Sequence, residues 1–149
     1  MGIRREGREL ALTYLYQLDL GVEDIASVEA SIGQERKTSS RVKQFARQLV
    51  RGVWAQKDEV DRLISANLMH WKLERLTRTD RGLLRMAVYE MRFDPEVPGK
   101  VAINEAVEIG KRFGGEESAR FLNGVLDAVL HSPDLSHGGQ PSSTERTGR

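Results

Sequence analysis

A reaction needs a nucleophile with a base, or converging ligands for a metal ion, so the titratable residues come first. The histidines are His70, His131 and His137, and none sits at helical ligand spacing from a carboxylate. With no cysteine in the chain, disulfides and thiolate metal sites are excluded. Glu105 and Glu108 stand three apart and share one helical face, a pattern that reads as a solvated surface. Gly114 and Gly115 have no Lys-Ser/Thr pair after them and no strand before them, so they do not form a phosphate loop. Neither catalysis nor a metal or cofactor site is expected.

Binding chemistry is better supplied. Arg5, Arg8, Leu12 and Tyr16 recur at i, i+3, i+7 and i+11. At about 100° per residue they form a stripe beside the core-facing one. Arginine neutralises phosphate and stacks on bases, and a tyrosine ring offers a base platform. Spacing leaves a second reading open, in which Leu12 and Tyr16 only widen the core. Phe121 points about 100° from the apolar stripe of its helix and has Gly124 beside it, which leaves room for a flat ligand or for a satellite core contact. Of the two rings, Phe121 is expected to stack on RNA with less involvement in the core than Tyr16.

Charge is segregated rather than abundant. The net charge is +1. Asp19 to Glu35 holds five acids and no base; Arg36 to Arg51 holds six bases and no acid. Such blocks create local fields that a net charge hides. The basic run is read mainly as the solvated face of a helix, because Arg47 and Arg51 fall opposite its apolar positions.

These residues must be carried by helices, because apolar positions recur at helical spacing throughout and no period-2 run stands out. The first helix is expected over about Arg4–Leu20, stopped by Gly21, and a shorter one over Asp24–Ile32. A long segment keeps one apolar face from Val42 to Asn67, with Gly52 marking a bend. Trp71–Leu76 reads as a connector. Thr77 with Asp80 fits a capping box opening a helix to Phe93, and Pro95 and Pro98 forbid its continuation. The Arg81–Phe93 helix is apolar on two sides, one of them Gly82, Met86, Tyr89 and Phe93. That side faces the other half of the protein or a partner. Two further helices follow, Val101–Phe113 and Glu116 to about His131. The whole predicts an all-α single domain of six to seven helices in two helical subdomains over residues 1–131, with a disordered tail over 132–149. No stretch approaches the roughly 20 apolar residues of a membrane span, and the opening residues lack an apolar signal core. The expected location is cytoplasmic.

The motifs resemble those of the NusB transcription antitermination factors. They are Arg-Arg-x-x-Arg-Glu-x-Ala-x-x-x-Leu-Tyr at Arg4–Tyr16, Trp71 with Leu73–Leu76, and Asp80-Arg81 with Leu84–Glu90. Val101–Glu108 with Lys111 and Phe113-Gly114 follows, then Phe121-x-Asn-Gly-Val-Leu-Asp127. The resemblance covers nearly all of residues 4–130. It implies a helical protein of two subdomains that binds boxA-type single-stranded RNA in nascent ribosomal RNA transcripts. It implies two protein associations, with the small-subunit ribosomal protein NusE and with the elongating RNA polymerase complex. RNA contact carries over to Arg4, Arg5, Arg8, Tyr16 and Phe121, and NusE contact to Asp80. Glu6 and Glu9 make the N-terminus less basic than is common in the family. The same helical domain opens ribosomal RNA cytosine methyltransferases, ahead of a catalytic domain. Other readings are a helical adapter, monomeric or a weak homodimer through the Met86, Tyr89 and Phe93 side, and an RNA-targeting subunit for a separate modifying enzyme.

Overall fold

A computed structural model describes residues 2–135, and these are helical with no strand among them. The elements are α1 (Ile3–Leu20), α2 (Ile25–Gly33), α3 (Ser40–Ala55), α4 (Lys57–Ser65), a 3-10 turn (Leu73–Arg75), α5 (Arg78–Phe93) and α6 (Gly99–Leu130). Most of the expected tail, with His137, lies outside the described residues. Within them, Leu135 still packs against the core.

Side-chain caps set several of the helix starts. Asp24 accepts from the Ser27 amide at 2.8 Å, Ser39 from Val42 at 3.2 Å and Thr77 from Asp80 at 3.1 Å. Each satisfies one of the amides a helix start leaves without a partner. The box expected at Thr77 is half made. The Asp80 carboxylate turns instead toward the Ser118 hydroxyl, 3.5 Å away.

The long segment from Val42 is two helices, and its break falls at Gln56 (φ −107°, ψ 19°) rather than at Gly52. Seven residues separate Val53 from Val60, both buried. That interval is two helical turns, so the apolar phase carries no mark of the break. Gly52 serves close approach: a Cβ there would lie 2.2 Å from the Tyr89 hydroxyl. The break in α6 is at Gly115, with φ 81° and ψ −171° inside an otherwise helical run. Those angles are open essentially to glycine alone.

α5 is the central element, packed by α6 on one side and by α1, α3 and α4 on the other. Its second apolar side faces inward: Met86 is buried, and Tyr89 stacks on Phe93 at 5.5 Å against the core. Most of a dimer or adapter surface built on that side is therefore covered, with Tyr89 and Phe93 keeping part of their surface. No helix is long and apolar enough to cross a membrane.

Buried charge also holds α5. Arg85 donates to both Asp61 oxygens, at 2.8 and 3.0 Å, and to Asp19 at 3.0 Å. Arg81 reaches the same Asp19 and donates at 3.0 Å to the Leu73 and Leu76 carbonyls. One carboxylate of α1 thus anchors α5 and, through Arg81, the connector before it. Nearer the other end of α5, Arg8 is 3% exposed and donates twice to Glu90, at 3.1 and 2.9 Å. Burial pushes the Glu90 carboxyl above its usual range in spite of the guanidinium beside it.

Two stability measurements check these networks. Burial alone would raise the Asp19 carboxyl, but Arg81 and Arg85 outweigh it and hold it below the usual value. A carboxylate lowered in the fold contributes stability above its unfolded pKa and loses it as pH falls through the folded one. Asp19→Asn should therefore cost about 3 kcal/mol at pH 7. The gap from wild type should close below about pH 4 in urea titrations. Arg8→Met alone, stranding a buried carboxylate, should cost about 3–5 kcal/mol, whereas Arg8→Met with Glu90→Leu should restore most of it.

Candidate nucleic-acid interface

The N-terminal half of α1 divides its arginines by burial. Arg4 is exposed, with its guanidinium 6.0 Å from the centre of the Phe45 ring. Arg5 is half-buried and forms a two-point pair with Glu105 of α6, at 2.6 and 2.9 Å. Arg8 lies inside on Glu90, and another of its nitrogens is 3.5 Å from Glu105. Glu105 is thus not a solvated acid, as its spacing suggested. The Arg5 hydrogen bond, with the charges of Arg5 and Arg8, holds its carboxyl below the ordinary range. Leu12 is core, while Tyr16 is 42% exposed. The arginine–tyrosine stripe is therefore a ladder running from interior to surface. Arg4 and Tyr16 are outside, Arg5 is at the edge and Arg8 is within.

A cleft of about 430 Å³ opens between the start of α5 and the second half of α6. Trp71, Arg75, Leu76, Asp80, Ser118 and Phe121 contribute to its walls. Two residues singled out for different partners, Asp80 and Phe121, are brought together here. Trp71 stands 60% exposed among them. Burial raises the Asp80 carboxyl above its usual value, against the opposing Ser118 hydrogen bond. Gly124 is open, with nothing within 4 Å of where a Cβ would stand. Phe121 nevertheless packs partly on the core and Tyr16 is the more exposed ring, so Phe121 is more involved in the core than its spacing suggested.

Sequence reasoning missed Glu90 and Glu105 as holders of the arginines. Their signal was visible only in three dimensions, because Arg8 and Glu90 are 82 residues apart and Arg5 and Glu105 are 100 apart. No cluster of histidine, aspartate and glutamate able to hold a metal ion occurs among the described residues.

Comparison with known proteins bears on the whole arrangement. The NusB family model matches residues 5–131. The transcription antitermination protein NusB of Myxococcus xanthus is 45% identical over 133 residues, covering 87% of this chain and 95% of that protein. The crystal form of T. maritima NusB superposes with a TM-score of 0.76 at 36% identity, over 88% of this chain and 94% of that one. A structure of the antitermination factors NusB and NusE in complex with double-stranded RNA gives 0.77 at 25% identity, over 87% and 97%. With the family model matching nearly the whole of the described helical body, the chain belongs to the NusB family.

Proposed function

We propose that this protein is a transcription antitermination factor that binds boxA-type RNA in nascent ribosomal RNA transcripts jointly with NusE, and joins the elongating RNA polymerase complex. It acts by binding rather than by catalysis. The observation that carries joint binding is the shared cleft, since Asp80 and Phe121 open into one space. RNA on Phe121 and a protein on Asp80 would then be neighbours and would support each other's affinity. Family membership supports the same reading, as does the likeness to a NusB solved with NusE and RNA.

Roles follow from exposure. Arg4 and Tyr16 contact RNA directly, as a phosphate ligand and a stacking platform. Arg5 contributes at the edge while tied to Glu105. Arg8 acts from within, by fixing α1 on α5 and α6 so that its neighbours face outward. Phe121 combines stacking with packing, and Asp80 receives a basic group of NusE.

Titration of a boxA-like RNA, with and without NusE, tests the proposal. If about three phosphates are neutralised, log affinity should fall with log salt at a slope near −2. An affinity indifferent to salt would refute the RNA reading. Tyr16→Ala should weaken RNA binding by about 1–3 kcal/mol with the melting temperature nearly unchanged. Phe121→Ala should lose both affinity and stability.

Asp80→Lys keeps the backbone amide that Thr77 caps, so the helix start survives. It should abolish the gain in RNA affinity that NusE brings. Normal NusE binding by the folded variant would remove Asp80 from the interface.

A further inference from the structure

The outward side of α3 presents Arg41, Gln44, Phe45 and Gln48, spaced i, i+3, i+4 and i+7. Helical geometry gathers these within an arc of about 100°. α1 lays Ile3 and Arg4 beside them, and the six residues line a groove of about 320 Å³. Arg41, Gln44 and Gln48 are exposed, and Phe45 is half-buried. The Phe45 ring is fixed by the Arg8 guanidinium at 5.5 Å and by Arg4 at 6.0 Å.

Two of the six bases of the Arg36–Arg51 run are engaged elsewhere. Arg51 pairs with Glu29, and Lys43 donates to the Gly33 and Glu35 carbonyls. Arg4 and Arg41 have no ion-pair partner among the described residues, and no carboxylate lines the groove. The Gln44 and Gln48 amides likewise make no side-chain hydrogen bond there. Beyond Phe45 and Gln48 lies a second hollow lined by Tyr89, Glu90 and Asp94. Glu90 there is neutralised by Arg8, and Asp94 leaves that hollow less favourable to phosphate than the Arg4–Arg41 side.

We infer that this groove is a second RNA subsite, which takes nucleotides flanking the boxA-type element. The inference rests on the RNA reading of α1, whose Arg4 belongs to both surfaces. Two guanidinium groups without carboxylate partners bind phosphate, and each can do so through two parallel hydrogen bonds. The two free amides offer both donors and acceptors to base edges and to the ribose 2′-hydroxyl. Phe45 supplies the apolar wall against which a sugar or base edge lies. Arg4 borders both surfaces, so RNA held on α1 extends past the element itself into the groove on α3.

The test uses the full chain with NusE and two RNAs, a boxA-like element alone and the same element extended on either side. Arg41→Glu is the informative variant. It puts an acid in the first turn of α3, where the helix dipole favours one, so the fold is kept. Wild type should bind the extended RNA about fivefold more tightly at low salt. Its salt slope should steepen by about 0.7 for each added phosphate contact. Arg41→Glu should abolish that increment while weakening the short RNA only slightly, through the neighbouring Arg4. Gln44→Ala with Gln48→Ala should shrink the increment without changing the slope.

An extension that adds nothing in wild type overturns this inference alone, as does an Arg41→Glu change that weakens both RNAs equally. A polyglutamate peptide that binds in an Arg41-dependent way, when the extended RNA shows no such dependence, would assign the groove to an acidic protein instead. Wild type that binds neither RNA overturns the proposed function as well.

Discussion

The buried pair between Arg8 and Glu90 is the constraint on which the binding surface depends. Taking two charges out of water is costly unless each finds the other in good geometry. Arg8 meets that condition with two bonds to Glu90 and a contact with Glu105. It thereby locks the rotation of α1 about its own axis against α5 and α6. Every other residue of α1 inherits its direction from that lock. Arg5 is turned to Glu105, Leu12 inward, and Arg4 and Tyr16 outward.

The same logic governs the other end of α5. Asp19 near the end of α1 holds Arg81 and Arg85, and Arg81 in turn holds two carbonyls around the 3-10 turn. The connector carrying Trp71 and Leu73–Leu76 has no buried residue within its short helical turn, so those carbonyl bonds and the half-buried Leu73 and Leu76 are what place it. The cleft wall is thus a product of polar anchoring as much as of apolar packing. A helix apolar on two sides had to be central, and its arginines follow from where the flanking carboxylates lie.

Much of the architecture was readable from the chain because it rests on local rules. Helical periodicity, the cap at Thr77, and the stops at Gly21, Pro95 and Pro98 are all local. The Gln56 break escaped because it preserves the apolar phase. The partners of Arg5 and Arg8 escaped because ion pairs between distant segments leave no periodic trace. Spacing along α1 set Arg5, Arg8, Leu12 and Tyr16 on one side of the helix, but it could not tell that Arg8 and Leu12 are buried, nor a guanidinium on phosphate from one on a buried carboxylate. Asp80 and Phe121 were singled out separately, and only the tertiary structure shows them in one cleft.

The two tryptophans occupy very different surroundings. Trp54 is half-buried beneath Lys57 and Arg85, at 5.6 and 5.9 Å. Trp71 stands exposed at the mouth of the Asp80–Phe121 cleft. An indole in water emits differently from one covered by a partner, so the chain carries its own optical reporter at the place where RNA and protein would meet. Occupancy of the cleft can then be followed in the unmodified chain by its intrinsic fluorescence, against the signal of Trp54, which stays constant while α3 keeps its place on α4 and α5.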